Sequence, residues 1–171
     1  MTGGARSVPG AGGWRLQAHE GQAPLTPDWH DELARRLGHR PRRLGEWTEV
    51  ALYGALRCLH AAGEAALPPT ARLRLLSRGG PAQAQRAALA QSREGLPMPF
   101  TFMQSQPAIT LAALAQALHW QGDAAFVAAR DVDAAIWMGL HGAGAAGALV
   151  GVVEAGGPGG LRSEWWRWTR A

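Results

Sequence analysis

The chain has 171 residues, of which 47% are hydrophobic and 18% are charged, values typical of one globular domain with a sizeable core. All 17 residues counted as Lys or Arg are Arg, and the sequence contains neither Lys nor Asn. These absences exclude a P-loop and a Schiff-base enzyme, which need Lys, and a papain-type triad, which needs Asn.

The formal net charge is +4 and the pI is about 10.9. The one dense basic run consists of Arg35, Arg36, Arg40, Arg42 and Arg43. Such runs are more often a solvated helix end than a phosphate-binding patch, so the first interpretation is favoured and the second stays open. We therefore expect no nucleic-acid partner.

The single cysteine, Cys58, excludes a disulfide framework and a cysteine-based metal site, and it indicates a cytoplasmic protein. Residues 1–13 are Gly-rich and polar, so no export signal is expected. Residues 134–153 carry no formal charge and are long enough to span a bilayer. Their five Gly residues and the central His141 argue against a membrane span and favour a helix, a turn and a buried strand.

The first half of the chain predicts a strand between helices. Residues 1–28 are rich in Gly and Pro and predict an irregular segment, in which residues 13–17 fit an edge strand. A short helix is expected over residues 28–37, and apolar residues at helical spacing predict a long one over residues 43–62. Residues 71–77 alternate Leu with Arg and predict a strand. An Ala/Gln-rich helix is expected after Pro81, ending near Arg93.

The second half adds two apolar strands. Residues 95–107 (GLPMPFTFMQSQP) predict a proline-punctuated loop, and a strong helix is expected over residues 108–120. Residues 124–129 and 148–153 are short apolar runs typical of fully buried strands, and Asp131 is expected to cap a helix that ends near Leu140. This order predicts an α/β fold with a mostly parallel sheet covered by helices.

Three segments follow one another in a recognisable order over residues 40–155. The helix RRLGEWTEVALYGALRCLHAAG precedes a strand that ends in the pair Ser77 and Arg78, which Gly79 follows. The proline-led segment PMPFTFMQSQPAITLAALAQAL comes next. Together they resemble the N-terminal, thiolase-type half of β-ketoacyl synthases, in particular the short chain-length-factor-like proteins of aryl polyene and polyketide pathways. The resemblance implies half of a thiolase-like fold over residues 29–158, preceded by the irregular residues 1–28 and followed by a Trp/Arg-rich tail, residues 159–171.

The chain departs from this family at the catalytic positions. Counted from Gly122, which is similar to the family's glycine before the buried strand, the nucleophilic cysteine position falls on Arg130 or Asp131. The family's catalytic His residues belong to a C-terminal half that the sequence does not include. Condensation needs both a thiolate and His donors, so no catalysis is expected. Cys58 is predicted to be a core thiol, and the His spacing predicts no metal site. No cofactor is expected.

The resemblance implies a heterodimer with an active ketosynthase, in polyketide, aryl polyene or fatty-acid-type biosynthesis. In such dimers the proline-led segment lies across the interface beside the acyl tunnel. The residues expected to line or close that tunnel are Phe100, Phe102, Met103, Gln104 and Gln106. A bulky side chain at the end of an apolar tube limits chain length by its volume. The other interpretation of these residues is ordinary core under a helix.

Two further segments are candidates for partner docking. Residues 163–170 (SEWWRWTR) alternate indoles with guanidiniums and are expected either to clamp onto the domain or to form a docking patch. The docking candidates are Arg42, Arg43, Trp165, Trp166 and Trp168. Arg residues near the tunnel mouth would also attract an acidic acyl carrier protein. The competing hypothesis is a free-standing binding module that uses the Arg run and the Trp-rich tail.

Overall fold

The computed structural model describes residues 12–22, 24–96, 98–155 and 160–171. The prediction that the chain has no export signal concerns residues 1–13, of which residues 1–11 lie outside the described residues. The strands are β1 (Trp14–Gln22), β2 (Arg72–Ser77), β3 (Ala124–Ala128), β4 (Ala148–Ala155) and β5 (Leu161–Arg170). The helices are α1 (Trp29–Leu37), α2 (Glu46–Ala61), α3 (Ala82–Arg93), α4 (Pro99–Gln104), α5 (Pro107–Ala117) and α6 (Val132–Leu140).

The strands form one sheet in the order β1–β5–β4–β2–β3. β2 pairs in parallel with β3 and β4, whereas β5 pairs antiparallel with both β4 and β1. Four strands therefore run in one direction and β5 runs against them. The predicted α/β fold, with a mostly parallel sheet covered by helices, is confirmed.

Helices pack on both faces of the sheet and bury two hydrophobic clusters. On one face, α2 packs against β1, β4 and β5, and α5 packs against α2 and β3. This cluster contains Tyr53, Leu73 and Trp165. On the other face, α6 packs against β2 and β4, and Ile136 and Trp166 belong to its cluster.

The C-terminal residues form a strand inside the sheet, so the prediction of a tail at residues 159–171 is wrong. Trp165 lies on the α2 side, where Gly54 and Gly151 leave space for its indole, and a Cβ on either glycine would overlap the ring. Trp166 and Trp168 lie on the α6 side. Together the three indoles remove a large apolar area from water on the two faces of the sheet. This burial favours a position for β5 between two other strands rather than at an edge.

Most of the predicted elements lie close to the observed ones, and three differ for identifiable reasons. β1 is a nine-residue strand within the segment predicted to be irregular. The loop predicted over residues 95–107 contains α4, because Pro99 at its first turn has the fixed φ that a helix start accepts. β3 is only half-buried rather than fully buried, because it is an edge strand.

Candidate partner interface

β3 leaves one edge of the sheet open, because within the described residues it pairs only with β2. Leu73 N donates to Asp123 O at 3.0 Å, and Ala129 N donates to Ser77 O at 3.2 Å. Alternate residues of a strand direct their backbone groups to opposite sides, so the odd-numbered residues of this strand face β2. The residues whose backbone groups face the open edge are Ala124, Phe126 and Ala128. Such an edge is a template for another strand.

An apolar surface lies on the helical hairpin formed by α3 and α4. No described residue of either helix is buried. Large hydrophobic side chains of the hairpin are between 46% and 68% exposed: Leu89, Leu96, Met98, Phe100, Phe102 and Met103. We call this set the α3–α4 surface. Since α5 packs against both α4 and β3, it connects the surface to the open edge. Exposed apolar groups in this number indicate a contact with another protein.

The five candidate tunnel residues come together on α4 and the turn after it, but they face different ways. The guanidinium of Arg43 lies 5.1 Å from the centre of the Phe100 ring. Gln104 Nε2 donates to Arg43 O at 3.3 Å, and Gln106 Nε2 donates to Ser105 Oγ at 3.0 Å. Phe102 and Met103 are exposed. Because none of the five is buried, the interpretation of this segment as ordinary core is wrong.

The turn between β3 and α6 lies where the family's nucleophile is expected. Asp131 is the N-cap of α6, and its Oδ1 accepts hydrogen bonds from Asp133 N at 3.0 Å and Ala134 N at 3.1 Å. A carboxylate here satisfies helix N–H groups and complements the positive end of the helix dipole. The predicted cap is confirmed, and the position holds a structural carboxylate with an exposed Arg130 before it.

Cys58 is a core thiol, as predicted, and is fully buried in α2. Its Sγ lies 3.8 Å from Ala18 O. Burial raises the pKa of the Cys58 thiol to about 12, so the sulfur is protonated at neutral pH and poorly suited to nucleophilic attack. Within the described residues, no group of three or more His, Cys, Asp and Glu side chains is arranged to hold a metal ion.

The predicted docking residues separate into two groups. Arg42 and Arg43 are exposed just before α2, and Arg43 contacts Phe100 of the α3–α4 surface. In contrast, Trp165, Trp166 and Trp168 are 0%, 1% and 5% exposed, so the docking role predicted for them is wrong. Their indoles are packed inside the sheet, where they gain the full hydrophobic stabilisation. The binding-module hypothesis loses its Trp surface for the same reason.

Sequence reasoning missed a second exposed apolar patch, on α6. Trp137 and Met138 are 44% and 49% exposed, and the Trp137 ring stacks on His141 with 4.8 Å between ring centres. The opposite face of α6 buries Ile136 and Leu140. The available signal was the segment VDAAIWMGL, which is apolar on nearly all sides of a helix and so predicts contacts on more than one side.

The sheet order with a single reversed strand, and helices on both faces, defines an open, mostly parallel α/β fold. The chain is similar to a solved structure described as a ketosynthase, ApeO, in complex with its chain length factor, ApeC, from Xenorhabdus doucetiae. The match has a TM-score of 0.61 and 16% sequence identity, and it covers 92% of this chain and 79% of that chain. The predicted resemblance to the β-ketoacyl synthase-like family is therefore confirmed at the level of fold.

Neither a protein-family model nor a curated protein matches the sequence. In the described ranges, no helix combines the length and the apolar character needed to cross a membrane. The uncharged residues 134–153 are divided between α6, a turn and β4.

Proposed function

We propose that this chain is a cytoplasmic, non-catalytic subunit that pairs with an active β-ketoacyl-ACP synthase and shapes its acyl tunnel, in the manner of a chain length factor. The observation that carries the proposal is the open β3 edge connected through α5 to the exposed α3–α4 surface, in a ketosynthase-type half-fold. One partner surface that covers both would satisfy the edge backbone groups and bury the apolar side chains together. The pathway is of the polyketide, aryl polyene or fatty-acid type.

The division of labour follows from the side chains at the catalytic positions. A condensing enzyme carries its acyl group on a thiolate. Here Asp131 caps α6, and Cys58 is a buried, protonated thiol on another helix. The partner synthase therefore carries out the condensation, and this subunit determines the shape of the acyl tunnel.

Shape control is assigned to α4, which carries Phe100, Phe102 and Met103 outside the core. Elongation of the acyl chain stops when the chain reaches an aromatic ring or a thioether at the end of the tunnel, because another two-carbon unit would overlap that side chain. Gln104 and Gln106 flank this apolar group and are proposed to border the same tunnel.

Arg42 and Arg43 are proposed to attract the acidic acyl carrier protein that delivers the chain. Within the described residues, Arg36 and Arg40 of the same run pair with Glu32 and Asp31, at 2.7 Å and 2.6 Å. Arg42 is exposed and precedes Arg43, which contacts Phe100 of the α3–α4 surface. Arg42→Glu is expected to weaken carrier-protein binding to the assembled complex. Arg15→Glu, at an exposed position of β1, is the control, and equal loss in both variants would contradict the assignment.

The decisive experiment is co-expression of the full chain with a β-ketoacyl synthase from the same organism, followed by size exclusion with light scattering. A stable one-to-one complex is expected. Ala128→Pro removes an N–H from the open edge and keeps the ladder to β2, so it should break the complex while the chain stays folded. Ala128→Val keeps the N–H and should retain the complex. A wild-type chain that remains monomeric beside the synthase would refute the proposal.

A further inference from the structure

A groove lies where the end of α1 and the segment between α1 and α2 meet α5. Its volume is about 310 Å³, at the lower end of the range of small-molecule sites, roughly 300–1,000 Å³. Apolar side chains from these regions and from α2 line it: Leu37, Pro41, Leu44, Leu52, Ala113 and Ala117. No residue of the α3–α4 surface lines the groove, so it is separate from the proposed tunnel segment. Its lining accommodates an apolar group.

The polar side chains of the groove favour an acceptor of hydrogen bonds. They are Arg36, His39, Arg42, Gln116 and His119. Each of them can donate an N–H, and neither Asp nor Glu is among the lining residues. An apolar lining with cationic and amide donors around it is complementary to an anion that carries an apolar tail.

The unmatched charge of the groove is that of one guanidinium. Arg36 Nε and Nη2 donate to Glu32 Oε1 at 3.0 Å and 2.7 Å, so Glu32 already balances the charge of Arg36. The Arg42 side chain is exposed and forms neither a hydrogen bond nor an ion pair with another described residue. One free guanidinium matches one negative charge and has the planar donor geometry that a carboxylate accepts. A dianionic phosphate ester would keep one charge without a partner.

His119 occupies a backbone position that favours glycine. It follows α5 with a φ of 48°, where its N–H and that of Trp120 close the helix on Gln116 O and Ala115 O, at 3.2 Å and 2.9 Å. After three other helices of the chain, the residue with positive φ is a glycine: Gly38, Gly63 and Gly95.

The His119 imidazole therefore needs a reason beyond the turn itself. A side chain at positive φ is unfavourable, and this one is exposed and forms no hydrogen bond with a described residue. Its packing in the core cannot offset that cost. Because strained positions often serve a site, and His119 lines the groove, its imidazole is placed to contact a ligand there.

We propose that this groove binds an organic monocarboxylate with an apolar tail. The Arg42 guanidinium pairs with the carboxylate, the His119 imidazole donates a hydrogen bond to it, and the tail packs on Leu44 and Leu52. Carboxylates with an apolar tail are preferred over alcohols with the same tail, over phosphate esters with the same tail and over carboxylates without a tail.

Isothermal titration calorimetry on the full chain tests this preference with four probes: octanoate, octan-1-ol, octyl phosphate and acetate. Octanoate is expected to bind at least about tenfold more tightly than octan-1-ol, the effect of one hydrogen-bonded charge. It should also bind more tightly than octyl phosphate and acetate. Equal affinity for octanoate and octan-1-ol, tighter binding of octyl phosphate, or no binding at all overturns the proposal.

Arg42→Gln is expected to weaken octanoate binding about tenfold and to leave the affinity for octan-1-ol unchanged. Arg35→Gln removes the same charge at an exposed position of α1 that does not line the groove, and it should bind octanoate like the wild type. Equal losses in the two variants would show a general charge effect and overturn the site.

His119→Gly separates binding from folding. Glycine relieves the positive φ, so this variant is expected to have a higher melting temperature than the wild type and a lower affinity for octanoate. Full affinity in this variant would refute the role given to His119. Because neither a synthase nor a carrier protein is present, these results are independent of whether the chain forms the complex in the co-expression experiment.

Discussion

Arg167 and Glu64 form a bidentate ion pair between β5 and the turn that follows α2. Arg167 Nε lies 2.6 Å from Glu64 Oε2, and Arg167 Nη2 lies 2.8 Å from Glu64 Oε1. The Arg167 side chain is 1% exposed, and its Nη1 also donates to Ala146 O at 2.8 Å. A guanidinium is tolerated inside the sheet because a carboxylate and backbone carbonyls together replace its hydration.

Glu64→Gln is therefore expected to lower the free energy of unfolding by about 3 kcal/mol, because it leaves the buried charge of Arg167 without its counter-ion. Urea denaturation followed by circular dichroism measures the change. Glu94→Gln, at an exposed position after α3, is the control and should change stability by less than about 0.5 kcal/mol. Equal effects of the two variants would show that the ion pair contributes little.

The contact of Gly151 with Trp165 gives a second stability prediction. A Cβ on Gly151 would overlap the indole ring, so Gly151→Ala forces the ring or β4 to move. We expect a loss of about 2–3 kcal/mol, typical of an overpacked core. Gly144→Ala places its Cβ in open space and should be nearly neutral when both variants are measured by urea denaturation. A stable Gly151→Ala protein would contradict the described packing of β5 on β4.

Cys58 predicts a pH dependence at the alkaline end. The pKa of its thiol is near 9 when unfolded and about 12 in the folded protein, so folding favours the protonated form. Its contribution to stability is complete below pH 9 and falls by up to about 1.4 kcal/mol per pH unit between pH 9 and 12.

Denaturant titrations of the wild type and of Cys58→Ala across this pH range isolate that contribution. The difference in unfolding free energy between the two proteins should shrink as the pH rises above 9. In the native protein at pH 8, iodoacetamide should leave Cys58 unmodified, and rapid labelling there would show an accessible thiol.

Phe102 gives the functional prediction of the proposed tunnel role. In the assembled complex, Phe102→Ala is expected to lengthen the dominant product by one or two two-carbon units, because the smaller side chain removes the stop. Mass spectrometry of the released chains measures the shift. Leu96→Ala, at the most exposed position of the α3–α4 surface, should leave product length unchanged. The same length from all three proteins would exclude Phe102 as the stop.

Local sequence signals predicted the elements whose cause is local. The helical spacing of Trp47, Val50 and Cys58 identified α2, and the cap residue Asp131 identified the start of α6. The order of these elements, together with Ser77, Arg78 and the proline-led segment, was enough to indicate a ketosynthase-type half-fold. Even so, α2 begins at Glu46 rather than residue 43, because Arg43 adopts a φ of 66°, which a right-handed helix does not allow.

The sequence by itself determined the fold class, the core position of Cys58 and the lack of a thiol at the start of α6, because each depends on residue type and spacing along one segment. Tertiary structure alone decided where residues 161–170 lie. The alternation of Trp and Arg in this segment is equally compatible with an exposed patch, because the residues that bury it are distant in the sequence. In the fold, Gly54 and Gly151 leave space for the Trp165 indole, and Glu64 forms an ion pair with Arg167. Tertiary structure also decided that β3 forms the open edge, since hydrogen bonding between strands depends on residues far apart in the chain.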